Sequence, residues 1–305
     1  MSAEAIAIET DEADKRQERA WKREEAAIAK KYMGRVPWEM VAWGLGNFLF
    51  WLSLWPLTLT GVLPLWGAFV LATFSITICY LPSHEAQHSI IATEGNRLRW
   101  LNELVGHVST IPLLFPYRIA WITHKQHHAN ANDPELDPDH GNKGDNWWQA
   151  AWNGIRERQF GAGQGYKNAL SRSVDPNIDK AIREATILSL SHYAVLTGLA
   201  WSGHAIEAAL IWWLPRHIAM TYIQLFLSWA PHHPMGEKGR YRDTRAWKSP
   251  VGTILSMGME YHIMHHLFPR IPLFQTGPAY FEMRHMLDER GMPNDRPDRG
   301  RDGDQ

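Results

Sequence analysis

One cysteine in 305 residues is too few for a disulfide, and too few for a cysteine-ligated iron–sulfur cluster. Charge of either sign is not in excess: 31 Lys and Arg face 32 Asp and Glu, a net of −1, which gives no support for a nucleic-acid partner. A glycine-rich nucleotide loop of the G-x-G-x-x-G type does not occur. The N-terminal stretch mixes acids and bases without the layout of a signal peptide, so no cleavage is expected. The most informative absence is local. None of the 44 residues from Met40 to Ser83 is Asp, Glu, Lys, Arg or His, which the mean hydropathy of −0.33 conceals.

A bilayer core about 30 Å thick needs roughly 20 helical residues. The uncharged run therefore has room for two spans, at about 39–58 and 62–82, with Cys79 inside the second. A second apolar region has room for two more, at about 185–202 and 205–230, the last interrupted by Arg216 and His217. The expected class is all-α: an integral membrane protein with four transmembrane helices and a cytoplasmic helical cap holding a dimetal site. A very apolar soluble helical core is the plainer alternative. Lys15, Arg16, Arg19, Lys22, Arg23, Lys30, Lys31 and Arg35 precede the first span, and the positive-inside rule keeps that end cytoplasmic. Each pair of spans then returns the chain to the cytoplasm, at His84 and again at His232. The expected divisions are a cytoplasmic arm (1–38), a membrane domain (39–275), and a C-terminal helix with a disordered polar tail (276–305). Within the domain, 104–117 is apolar but too short to span, which fits a re-entrant or interfacial piece. The stretch with Trp147, Trp148 and Trp152 suits helices on a headgroup layer and equally an ordinary amphipathic pair.

Sixteen histidines are many for this length, and they are grouped. HEAQH carries His84 and His88 at i, i+4, one face of a helix. HKQHH carries His124, His127 and His128. HIMHHLFP carries His262, His265 and His266, which a helix would splay about 60° and 40° to either side of the first. The pair His232–His233 in WAPHHP follows the fourth expected span; neighbours on a helix point about 100° apart, so one of the two is expected to bind, and His232 is preferred. All four groups fall at cytoplasmic ends of spans. Nine imidazoles exceed the three or four of a tetrahedral zinc and suffice for two metals. Imidazole suits iron, zinc, copper and nickel alike, so ligand type does not select the metal. Location does more: breaking an unactivated C–H bond of a neighbouring acyl chain needs a redox metal and dioxygen, which iron supplies. Neutral imidazoles cancel no metal charge, so carboxylates are expected behind them. Glu85, Asp133, Asp137, Asp139 and Glu260 are the candidates, although NDPELDPD also reads as a Pro-rich turn with Asx caps. His107, His140, His192, His204, His217 and His285 stand alone and are read as packed or solvated side chains.

HEAQH, HKQHH and HIMHHLFP together resemble the three histidine boxes of the membrane fatty acid desaturase and hydroxylase superfamily, over about residues 39–275. The resemblance implies four transmembrane helices under a cytoplasmic cap, set in a bacterial inner membrane with both termini and the metal site inside. It implies two iron ions held by His84, His88, His124, His127, His128, His262, His265 and His266, with His232 as the extra ligand many members carry. It also implies O2 as co-substrate, a lipid substrate, and electrons from a separate donor such as ferredoxin, rubredoxin or cytochrome b5, since the chain has no fused HPGG-type haem domain. No catalytic side chain is expected beyond the metal ligands. The three residues inside HEAQH differ from the four of the acyl-CoA Δ9 type, and His262 stands where front-end desaturases have Gln. NDPELDPDH with WAPHHP is similar to the bacterial branch that includes carotenoid ring hydroxylases. Because acyl desaturation is the commoner activity in that superfamily, a fatty acyl desaturase is the preferred expectation, ahead of a carotenoid or lipid hydroxylase. Two rivals come from other classes. HEAQH also satisfies the H-E-x-x-H pattern of a membrane zinc metallopeptidase, with Glu85 as general base. A non-catalytic metal-binding membrane protein is the other.

Overall fold

The computed structural model describes residues 3–159, 161–246 and 250–293. Among them every long element is a helix. The arm forms α1, Ala3–Tyr32, ending where Gly34 takes a positive φ and Pro37 opens the next helix. That helix, α2 (Trp38–Leu59), stops at Thr60 with Gly61 left-handed behind it, and Pro64 starts α3. The α3 rod, Leu65–Gln87, carries His84 in its last turn, and His88 caps its end. Pro82 has no N–H to return to residue 78, and the α-helical pattern is interrupted at Cys79 alone. These two helices alone among the described residues are long and apolar enough to cross a membrane by length and composition.

After α3 come α4 (Arg99–Ser109), α5 (Tyr117–Asn130), α6 (Trp147–Glu157) and α7 (Gln164–Arg172). The apolar piece expected at 104–117 is thus the end of α4 and a tight turn into α5, with Leu113 fully buried. Then α8, Ile178–Trp201, begins seven residues before the expected third span. The run 205–232, α9, is continuous but not uniformly α: Ala209–Trp213 and Gln224–Trp229 are π-helical. A π turn displaces the main-chain register, and the indole N–H of Trp51 reaches the carbonyl of Ile211 in the first of them at 3.3 Å. Short helices α10 (Pro250–Leu255) and α11 (His262–Leu267) precede α12, Leu273–Glu289. The expected polar tail falls on residues outside those described from 294 onward.

The α3 rod is the axis of the fold, packed against α2 on one side and α9 on the other. Trp51, Trp55 and Trp212 meet edge to face in the seam, 5.1 to 6.4 Å apart, and Met40, Leu54, Ile76 and Leu81 fill it. Arg216, which interrupts the fourth apolar run, turns inward and donates to the Leu113 carbonyl at 2.9 Å. Trp212 does the same to Pro112 at 2.8 Å. Below this seam α4 lies so close to α5 that a Cβ on Gly106 would stand 2.5 Å from the Tyr117 ring. That contact leaves the Tyr117 hydroxyl free to donate to the Ala86 carbonyl at 3.0 Å, pinning the end of α3 where the first histidines sit. Large apolar side chains of α2, α3, α8 and α9 point outward, among them Leu49, Trp66, Phe74, Ile187, Leu190 and Ile206.

Candidate metal centre

Four elements deliver histidines to one point. The end of α3 brings His84 and His88, the last two turns of α5 bring His124, His127 and His128, α9 ends on His232, and α11 brings His262, His265 and His266. Gly258, at φ +91°, turns the chain sharply into α11, a conformation that a side-chain-bearing residue resists. The ligand nitrogens form two groups, each within 4.8 Å: His84, His88, His124 and His265 in one, His127, His232, His262 and His266 in the other. His128 joins the first, its Nε2 lying 3.1 Å from that of His124 and 2.9 Å from that of His265. Its ring also stacks on His266 of the second group, centroids 4.3 Å apart. His232 rather than His233 enters the cluster; the His233 ring packs on Trp229 at 4.5 Å.

The hydrogen bonds behind these rings identify what the front faces can accept. The His127 Nδ1–H donates to Asp137 at 2.9 Å, and the His232 Nδ1–H donates to the Asp243 carbonyl at 2.8 Å. Each imidazole therefore points an Nε2 lone pair inward, yet the two Nε2 atoms are only 3.1 Å apart. Two lone pairs at that distance repel unless a proton on one ring or a metal ion lies between them. Two nitrogens on one metal at about 2.1 Å and a right angle would lie about 3 Å apart. Buried His88 Nε2 and both ring nitrogens of His266 have no hydrogen-bond partner. The donor set fits transition metals with imidazole preference, and it fits two of them.

Burial, reinforced by neighbouring imidazoles, pushes His88, His124, His128, His262, His265 and His266 well below the usual histidine range. They stay neutral, the form that ligates metal. His127 is the exception: burial pulls it down, but the Asp137 carboxylate more than offsets this and raises it to about 9. In the metal-free protein a proton on His127 fills the gap that a metal would fill.

The five carboxylates proposed to back the histidines are placed unequally. Asp137 touches His127 as described, and its other oxygen takes the Asn132 N–H at 2.8 Å. Asp139 is half-buried beside it but faces a cavity, accepting from Tyr166 at 2.7 Å and Ser228 at 3.2 Å. Asp133 caps the turn N–H groups of Glu135 and Leu136 and pairs with Lys238 at 2.6 Å on the surface. Glu85 accepts the Leu273 N–H at 2.5 Å, capping α12. Glu260 accepts from Thr253 at 3.1 Å and Ser256 at 3.4 Å. The sequence reading missed the Asp243 carbonyl, and no residue-type signal could have found a main-chain oxygen.

One cavity opens on both histidine groups. His84 and His124 of the first group and His127 and His262 of the second line it. Its apolar wall comes from the helices read as spans, with Leu81, Met220, Ile223 and Leu227, and from Leu113 and Phe115 in the turn. Its polar wall comes from Asp139, Asn142 and Tyr166 of the cap and from Ser228 on α9.

Comparison with known proteins agrees with this geometry. The sequence profile of the family described as fatty acid desaturase matches residues 60–296. The chain is 24% identical to the sn-1 oleoyl-lipid 12-desaturase of Synechocystis over 69% of its length and 65% of that protein's. It is 22% identical to the protein of the same description from Anabaena variabilis, over 75% and 71%. A third relative, the sn-1 acyl-lipid omega-3 desaturase (ferredoxin) of Nostoc, is 22% identical over 69% and 64%. The chain thus spans roughly two thirds of the curated relatives it matches.

Proposed function

Because the chain belongs to the fatty acid desaturase family, we propose that it is an O2-dependent membrane oxidoreductase that introduces a double bond into the acyl chain of a lipid. The observation that carries this reading is the convergence of nine histidines into two groups, the ring nitrogens of each close enough together to hold one cation. His84, His88, His124, His128 and His265 would hold one iron, and His127, His232, His262 and His266 the other. Bound there, a pair of irons supplies the oxidising power toward an unactivated C–H bond that no side chain possesses.

The chain's own residues do the rest. Asp137 and the Asp243 carbonyl fix the tautomers of His127 and His232, so that each presents its Nε2 inward. The cavity's apolar wall holds an acyl chain against the histidines and excludes water, so that one methylene pair is presented in a fixed position. Two hydrogens leave adjacent carbons, and O2 becomes two waters with two further electrons and two protons. The electrons come from a separate protein, of which ferredoxin is the type named for the Nostoc relative. Small displacements of the methylene separate desaturation from hydroxylation, so a lipid or carotenoid hydroxylase of the same superfamily is the second reading. It is favoured by the polar wall of Asp139, Tyr166 and Ser228, an unusual lining for a plain hydrocarbon.

The membrane arrangement proposed is four spans: α2, α3, α8 and α9, with the cap and both ends of the chain in the cytoplasm of a bacterial cell. The outward apolar side chains on all four helices support it. Trp147, Trp148 and Trp152, more than half exposed on α6, would lie at the headgroup layer. The zinc peptidase reading loses its general base, because Glu85 is engaged with the α12 N-terminus rather than facing a water beside His84 and His88. The test is lipid and pigment profiling of a host that expresses the gene. New acyl double bonds are expected, together with about two irons per chain, and both disappear in His127→Ala and His265→Ala. New hydroxyl groups instead select the second reading, and unchanged lipids with the variants as active as the parent sink both.

A further inference from the structure

Between the end of α6 and the middle of α9 lies a crevice of about 400 Å³, within the range of small-molecule sites. It shares no residue with the cavity beside the histidines. α9 turns Met220, Ile223 and Leu227 to that cavity, and His217, Ile218, Thr221 and Leu225 to the crevice. Next to it the two helices meet so closely that a Cβ on Gly154 would stand 2.6 Å from the Gln224 Oε1. Ile155, Ile218 and Leu225 make the apolar part of the lining, and the first two are exposed to the outside. Arg158 and His217 also line it, and no Asp or Glu does.

The Arg158 guanidinium has one neutral partner among the described residues: its Nη2 donates to the Thr221 hydroxyl at 2.6 Å. Its Nε and Nη1 are buried and meet no hydrogen-bond acceptor. Buried N–H groups of a cation are costly to leave unmet. The neighbouring Glu157 does not serve, for its carboxylate turns to Gly141. Arg216, in the same turn of α9 as His217, adds positive charge. Burial first, and then Arg216, bring Arg158 down to about 10. Positive charge is thus gathered here with no carboxylate in the lining to cancel it. A guanidinium fork with free N–H groups matches the oxygens of a phosphate. An anion with an apolar body satisfies both parts of the crevice, giving oxygens to the fork and hydrocarbon to Ile155, Ile218 and Leu225.

We propose that this crevice binds the phosphate headgroup of an anionic phospholipid, a lipid held beside the substrate cavity rather than in it. The proposal rests on the membrane arrangement given above, in which α9 crosses the bilayer and α6 lies at the headgroup layer. Basic pockets between membrane helices recognise anionic headgroups in this way. The phosphate takes the Nε–H and Nη1–H of Arg158, and an acyl chain runs along Ile218 and Leu225. So seated, the lipid ties α6 to α9. α9 carries on to His232, and the Trp229 indole N–H donates to the Gly144 carbonyl ahead of α6 at 2.9 Å. The lipid therefore braces the cap from outside, touching neither substrate nor metal.

The test uses the full chain purified in an uncharged detergent, with bound lipid counted by native mass spectrometry and stability followed by thermal unfolding. The probes are phosphatidylglycerol, phosphatidylcholine and inorganic phosphate. Phosphatidylglycerol is expected to be retained in preference to phosphatidylcholine, whose ammonium meets the charge of Arg216, and to raise the unfolding temperature. Arg158→Gln is expected to weaken phosphatidylglycerol about tenfold, in keeping with the loss of hydrogen bonds to a charged group. Arg158→Lys keeps the charge without the fork and is expected to weaken it less. Because the guanidinium has no counter-ion, Arg158→Gln without lipid is expected to unfold no earlier than the parent. A residue that served only the Thr221 contact would make it unfold earlier. Arg156→Gln, exposed on α6, is expected to change nothing. Equal retention of the two phospholipids overturns the proposal, and so does equal loss in the Arg156 and Arg158 variants or none in either. Inorganic phosphate that stabilises the parent as well as the lipid does overturns it in favour of a free-phosphate site. A chain that stays dispersed without detergent sinks the membrane premise; one that needs detergent and ignores phosphatidylglycerol sinks the lipid site alone.

Discussion

At the scale of single residues, His127 is the position where the protein's proton chemistry and its metal chemistry compete. Asp137 raises it, against burial, to about 9. A group raised in the folded state stabilises that state fully below its ordinary value of about 6.5 and loses the contribution as pH climbs through 9. Metal must displace that proton, so metal affinity should rise with pH over the same window. Asp137→Asn still accepts the Nδ1–H but removes the charge. Zinc titrations followed by calorimetry should show the variant releasing about one proton fewer near neutral pH, and an affinity above pH 9 that is 10- to 100-fold weaker, on the order of other losses behind metal ligands. An unchanged proton count would mean Asp137 does not hold that proton. The nine histidines could be read from sequence because imidazole chemistry rides on residue type and on spacings that one helix face can satisfy. Of the five carboxylates, only Asp137 meets a histidine directly in the structure, since a carboxylate in a Pro-rich turn has several uses and the sequence does not rank them.

At the scale of elements, the arm before the matched region is tied to the centre by a buried polar network. Glu25 of α1 is fully buried and takes hydrogen bonds from Arg240 at 3.0 Å and Tyr241 at 2.8 Å, and it pairs with Arg290 behind α12. Arg240 and Tyr241 lie in the loop whose Asp243 carbonyl orients His232. Glu25→Ala would leave the Arg290 side chain, 2% exposed, without its main counter-charge, a loss on the order of 3–5 kcal/mol for a broken buried pair. Thermal unfolding of the purified protein should show that loss, and the site containing His232 should load less metal than its neighbour. If stability falls while both metals bind as before, the arm is a brace for α12 only. The long helices themselves were legible in advance: α2 and α3 from an unbroken uncharged run bounded by Pro37, Gly61 and Pro64. The π turns of α9 were not, because they answer to what packs against them, the Trp51 indole among others, and no local propensity encodes that. HEAQH was read as helical from the spacing of His84 and His88, but its continuity through Pro82 with the apolar span expected to end near 82 was not.

At the scale of the whole molecule, the open matter is how the fold meets a bilayer. α2 and α3 pass a test of length and apolarity; α8 and α9 carry His192, Arg216, His217 and Gln224, which dilute their average. Arg216 spends its charge inside, on the Leu113 carbonyl, while Ile187, Leu190, Ile206 and Trp213 face out. An average counts both kinds of residue, but a lipid meets only the second. If all four helices cross, the turns near 62 and 201 lie on the face opposite the histidines, and the connections near 94 and 174 lie on the same face as them. Cys79, 1% exposed, is the only native thiol and gives little background. Single cysteines in place of Val62 and Trp201, which are 72% and 92% exposed, should react with a membrane-impermeant maleimide on intact spheroplasts. Cysteines in place of Glu94 and Val174, both on the surface, should react only after lysis. Labelling of Val62→Cys from outside with Trp201→Cys protected would leave two spans and seat α8 and α9 within the cytoplasmic body. Labelling of all four from one side would remove the bilayer from the description altogether, and with it the reason for an acyl chain to find the cavity beside His84.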